Sequence, residues 1–108
     1  MMWDRVNVVS KFGKSVTQKD KDFVQKIVEK NLKGKMDSYL KKIFARRLDA
    51  EVTIKYVINY HEESKKYDAD FIFSYDGNTF IYKKEGFKIL SDLINHAFKR
   101  FKEKLSSE

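Results

Sequence analysis

The chain has 108 residues, 42% of them hydrophobic and 36% charged, with no Cys, no Pro and a net charge of +7. That length suits one domain with a real core and leaves no room for a second folded module. The missing Cys excludes disulfides and thiolate metal sites, and no apolar run approaches the roughly 18 residues that a membrane span needs. MMWDRVNVV lacks the basic start and long apolar run of a secretory leader, so the expectation is one cytoplasmic domain over 1–108.

The distribution of charge says more than its sum. Residues 11–48 hold twelve Lys or Arg against four Asp or Glu, and residues 83–104 hold seven against three. Residues 49–82 reverse the balance, with three against seven. Segregation of this kind predicts one basic and one acidic surface, which suits a polyanionic partner.

Arg5–Val9 alternates as a short strand, Val6 and Val8 on one face. Thr17 and Asp20 have the spacing of a helix-starting cap. Beyond them Phe23, Val24, Ile27, Val28 and Leu32 form an apolar stripe, with Lys19, Lys26, Lys30 and Lys33 on another face. Gly34 interrupts, and Asp37 or Ser38 caps a further helical piece over Tyr39–Arg47, with Tyr39, Leu40, Ile43 and Phe44 as its apolar face. Glu51–Tyr60 alternates as a half-buried strand with Val52, Ile54, Tyr56, Ile58 and Tyr60 inward. After a polar connection over residues 61–67, Ala69, Phe71, Phe73 and Tyr75 repeat that pattern. Asp76-Gly77 marks a two-residue type I′ hairpin turn, returning through Thr79 to Lys83. A closing helix starts near Glu85 or Gly86 and buries Phe87, Leu90, Ile94, Ala97, Phe98, Phe101 and Leu105. The expected fold is α+β, ordered β-α-β-β-β-α. A four-stranded, mainly antiparallel sheet carries two helices on one face, because both apolar stripes need the same apolar sheet surface.

Catalytic chemistry finds little support. His61 and His96 lie on different elements without neighbours at metal-ligand spacing. Asp68 and Asp70 share a strand face but read as solvent-facing polar positions. The glycines at 13, 34, 77 and 86 are too scattered for a phosphate loop. Phe71, Phe73 and Phe80 sit at core spacing rather than as a base-stacking platform. No enzyme activity, cofactor, metal or small-molecule substrate is expected.

The closing segment, with its hairpin return, Glu85, Phe87, Leu90 and then LINHAFKRFKEKL, resembles the ribosome hibernation-promoting factor family, which includes the ribosome-associated inhibitor proteins. VNVVSKFGKSVTQKDKDFVQKIVEK is similar to that family's first strand and Thr-capped helix, so the resemblance covers nearly the whole chain. Ser91 stands where the family commonly carries Asp, and residues 34–48 make a longer helix-to-strand connection than is usual there. The resemblance, to the short form of the family, implies binding to the small ribosomal subunit in the channel used by messenger and transfer RNA. It further implies silencing or protection of idle ribosomes, by a chain that is a monomer when off the ribosome. Matching the motif region assigns RNA contacts to Lys83, Lys84, Lys88, Lys99, Arg100 and Lys102, joined by Lys26, Lys30 and Lys33 of the first helix. Helix-borne cations reach phosphates with little base readout, and displaced counterions make such binding salt-dependent. The alternatives are a double-stranded RNA-binding domain, which KKEGFK resembles but which begins with its helix, and a basic adaptor that docks an acidic protein.

Overall fold

Four strands and three helices make up the fold in a computed structural model that describes residues 5–34, 36–47 and 49–107. In order they are β1 (Val6–Phe12), α1 (Gln18–Lys33), α2 (Met36–Arg46), β2 (Val52–His61), β3 (Lys66–Tyr75), β4 (Asn78–Phe87) and α3 (Leu90–Ser106). The sheet order is β1-β2-β3-β4, with β1 parallel to β2 and the other neighbours antiparallel. Parallel neighbours cannot be joined by a tight turn, so the chain crosses back over one sheet face through α1 and α2 before it reaches β2.

The inward register is the predicted one. Tyr56, Phe71 and Tyr82 lie side by side across three strands, as do Ile54, Phe73 and Phe80. Val24, Val28 and Leu32 of α1, Met36, Leu40 and Phe44 of α2, and six residues of α3 complete one apolar cluster. Its centre is aromatic: the Phe101 ring stacks on Phe73 at 4.9 Å and meets Phe71, Phe80 and Phe98 edge-on.

Local chemistry accounts for the boundaries. Thr17 caps α1, its hydroxyl accepting from the Asp20 backbone N–H at 3.2 Å. Gly34 closes the helix with its N–H on the Lys30 carbonyl. Asp76 and Gly77 both take positive φ, 47° and 81°, the backbone of the predicted type I′ turn.

Several expectations are corrected. The further helical piece is α2, a third helix on the same apolar core where two were expected, and it starts at Met36, three residues before the expected Tyr39. β1 runs on to Phe12, and β3 begins at Lys66 inside the expected polar connection. β4 continues to Phe87, so α3 starts at Leu90 rather than near Glu85. The reason is an irregularity in the β3–β4 ladder between Tyr67 and Ala69. Gly86 takes φ 75° there, and its N–H donates to the Asp68 carboxylate at 3.1 Å, so pairing resumes at Phe87.

The face away from the helices is not the acidic surface expected from composition. Register places Lys11, Lys55 and Lys83 on it with Asp68 and Asp70, alongside Val9, Ile72 and Ile81. Acidic residues of this region fall largely outside the strands, at Asp49, Glu51, Glu62, Glu63 and Asp76.

Two outcomes follow from the packing. Phe101→Ala removes the ring at the centre of the aromatic cluster and should cost about 3–5 kcal/mol, read from urea unfolding. Tyr67 donates its hydroxyl to the Asp20 carboxylate at 2.7 Å, tying β3 to the start of α1. Burial first, then the bond to Asp20 and its charge, push this phenol from 10.0 up to about 12. The folded state therefore keeps a proton that the unfolded chain releases near pH 10. The associated stability is intact below that pH and is lost as pH rises through about 12. Alkaline titration followed by tyrosinate absorbance should show a late component that Tyr67→Phe reduces, the Tyr56 and Tyr82 phenols, also raised by burial, supplying the rest.

Candidate nucleic-acid interface

α1 and α3 lie against each other on the helix side of the sheet, and their seam is neutral. The Asn31 side-chain amide donates to the Asn95 side-chain carbonyl at 3.0 Å and to the Ile27 backbone carbonyl at 2.9 Å. Ile27, Asn31, Gly34, Ser91 and Asn95 form the walls of a surface groove whose two cationic residues are Lys30 from α1 and Lys102 from α3. Lys102 is only partly exposed where it lines the groove.

The groove opens at both sides into further basic surface. On α1, Lys26 and Lys33 flank Lys30 at offsets of four and three, one helix face, and the three surround a shallow depression with Glu29 and Gly34. On α3, Lys99 and Lys102 border a second depression with Tyr39, whose hydroxyl accepts from Ser106 at 3.1 Å and ties α2 to the end of α3. Lys26, Lys30, Lys33, Lys102 and Lys99 therefore form one arc across two helices. Lys33 also pairs with Glu29 at 2.7 Å, with both side chains about half exposed, so this lysine's charge is partly compensated.

The other four predicted residues lie elsewhere. Arg100 is one position round the helix from Lys99 and faces β4. It contacts Glu103 at 3.6 Å, and its cation offsets part of the upward push that burial gives the Tyr82 phenol. Lys84 is on the β4 edge in line with Ala69, and Lys88 is exposed in the connection from β4 to α3. Lys83 lies on the far face of the sheet, opposite Asp70. Adjacent basic residues on a strand, such as Lys83 and Lys84, cannot share a face.

Sequence reasoning passed over Asn31, Asn95 and Tyr39, which join the basic helices. The available signal was the offset of four between Asn31 and the apolar Ile27, and between Asn95 and Ser91. It also passed over Lys11 and Lys55, whose outward positions follow from strand alternation alone. No cluster of metal-binding side chains occurs among the described residues, and no described helix is long and apolar enough to cross a membrane. His61 meets Asp68 at 2.5 Å on the sheet's far side, away from the basic arc.

No protein-family model and no curated protein matches this sequence. Among solved structures, the N-terminal domain of Protein Y from Thermus thermophilus superposes with a TM-score of 0.58, at 20% sequence identity, over 92% of this chain and 94% of that one. The shared architecture thus extends through nearly all of both chains.

Glu29→Gln removes the carboxylate that pairs with Lys33 in the lysine arc. It should cost less than about 0.5 kcal/mol of stability, because the pair is a solvated helical one. The same change should raise the salt needed to elute the protein from a heparin column.

Proposed function

We propose that this domain binds structured ribosomal RNA of the small subunit, in the channel for messenger and transfer RNA, and so silences or protects idle ribosomes. The observation that carries this reading is the arc of Lys26, Lys30, Lys33, Lys99 and Lys102 across two packed helices. It sits on a domain that superposes on the N-terminal domain of Thermus thermophilus Protein Y. The closing segment of the sequence resembles the ribosome hibernation-promoting factor family. A strand before α1, paired with β2, separates this chain from a double-stranded RNA-binding domain, which starts at its helix.

The mechanism is occlusion, carried out in the cytoplasm where ribosomes work, and it needs no catalytic step or cofactor. A domain stiffened by one continuous core fills space that messenger and transfer RNA require. Its lysines supply affinity by meeting phosphates and releasing their counterions. Recognition by point charges on helices reads the shape of folded RNA rather than base edges. Lys83, Lys84, Lys88 and Arg100 are further contacts in this reading, reaching RNA that wraps past the arc toward β4.

Pelleting with purified ribosomes at two salt concentrations tests the proposal. The protein should co-sediment at low salt and be released at high salt. Lys30→Glu, Lys99→Glu and Lys102→Glu together should abolish binding while leaving the unfolding curve nearly unchanged, since exposed charges contribute little to stability. The corresponding triple Ala variant should flatten the slope of log affinity against log salt by about three, roughly one per lost phosphate contact. Retained pelleting by the Glu variant would reject the arc as the interface. A protein that stays in the supernatant with ribosomes but binds an acidic protein would establish the adaptor reading instead.

A further inference from the structure

α2 and the C-terminal half of α3 enclose a surface depression of about 690 Å³, and Tyr39 is the one aromatic side chain in its wall. The buried stripe of α2 is Met36, Leu40 and Phe44, so this ring lies beside the stripe and is only partly covered. It is nevertheless held in place. The Ser106 hydroxyl donates to the Tyr39 hydroxyl at 3.1 Å across the gap between the helices, which leaves the phenol's own proton to donate onward. Three lysines surround the ring: Lys99 and Lys102 line the same depression, and the Lys42 ammonium stands 5.9 Å from the ring centre.

A flat ring among cations and hydroxyls has features that a paired RNA stem does not use. Stacked, paired bases offer no open face, so a stem meets only the lysines, whereas an unpaired nucleotide brings a base to lie on the ring and a phosphate for the ammonium groups. Glu103 points the same way. Its carboxylate lines the depression, 3.6 Å from Arg100, and it accepts hydrogen bonds without donating any, which disfavours a bare phosphate and suits the N–H groups of a base edge. Lys102 also lines the seam groove between α1 and α3, so the depression continues the lysine arc. We propose that it holds one unpaired nucleotide of the RNA that the arc grips, its base stacked on Tyr39 and its phosphate met by Lys99 and Lys102.

This inference rests on the RNA-binding reading and adds a preference to it, for RNA with an unpaired nucleotide over a perfect duplex. Stacking one base on an aromatic side chain typically changes affinity by roughly tenfold. The ring carries no charge, so it releases no counterions and leaves the salt dependence to the lysines. Tyr39 and the arc therefore have separate signatures: one sets which RNA is preferred, the other how steeply binding falls with salt.

Fluorescence anisotropy with two labelled RNA hairpins, one with a fully paired stem and one with a single nucleotide bulged from the same stem, tests this. The protein should bind the bulged hairpin roughly tenfold more tightly. Tyr39→Ala should bind both hairpins alike, near the wild-type affinity for the paired one and with an unchanged salt slope. Tyr39→Phe keeps the ring but loses the Ser106 bond, and it should retain the preference, which separates stacking from the tie between α2 and α3. Circular dichroism checks that each variant is folded. In the wild-type protein, 5-iodouridine at the bulged position should cross-link to Tyr39 on irradiation, a readout that needs no variant. Equal affinity of the wild type for the two hairpins, a preference that survives in folded Tyr39→Ala, or a cross-link to another residue would overturn the proposal. Equal binding of both hairpins rejects the nucleotide site alone, whereas binding of neither rejects the RNA reading together with it.

Discussion

The parallel pairing of β1 with β2 is the constraint from which the rest of this molecule follows. A strand that returns parallel to its predecessor needs a crossover, and the crossover must bury its own apolar stripe against the sheet. α1 and α2 do this at one end of the sheet order, and α3 fills what remains of the same face. All three helices compete for one apolar surface, which forces their polar faces onto one side of the molecule. The lysines of two segments far apart in sequence become neighbours for that reason, with no attraction of their own to bring them together.

That proximity has an electrostatic cost, since like charges on adjacent helices repel. The molecule limits it by making the contact itself from neutral groups, Ile27 and the Asn31–Asn95 amide pair, and leaving the ammonium groups at the rim where water screens them. Amides satisfy each other across the seam without adding charge, and the groove between Lys30 and Lys102 stays polar. The penalty for gathering cations is thereby reduced but kept available: a polyanion laid along the arc relieves it. Stored repulsion of this kind favours a phosphate backbone over a neutral ligand, because only the former neutralises several lysines at once.

Much of this was legible from residue order. The alternation in β2 and β3, the Asp76-Gly77 turn, the Thr17 cap and the stripes of α1 and α3 all rest on local rules, and each is found where those rules place it except Phe23, which α1 leaves exposed, and Phe87, which belongs to β4. Failures occur where a distant partner decides the outcome. Glu85–Phe87 has helix-compatible residues but becomes strand because Asp68, eighteen positions earlier, receives the Gly86 N–H. Met36 starts α2 because the core has room for its side chain, a fact invisible in KGKMDS. Helical spacing set Lys26, Lys30 and Lys33 on one face, as found, whereas Lys99 and Arg100, neighbours in sequence, stand about 100° of helix apart. Segment composition misled most for the sheet, because the acidic residues went largely to turns while alternation sent Lys11, Lys55 and Lys83 outward together.

The two edges of the sheet are handled differently, and the contrast bears on what the fold is for. β4 carries Lys83, Lys84 and Glu85 in succession and ends in the Gly86 irregularity, features that discourage another strand from pairing there. β1 has neither an irregularity in its ladder nor a proline, and its single charged residue, Lys11, lies near one end. The unguarded edge is also the one created by the parallel crossover: β1 enters the sheet beside β2 with its other side open, and the helices it launches cover its face rather than its edge. The connection that gathers the lysines on one surface thus leaves, as a direct geometric consequence, a strand with free hydrogen-bonding groups and exposed valines. Selection can act on either surface without disturbing the other, because the arc lies on helices and the edge on the strand beneath them.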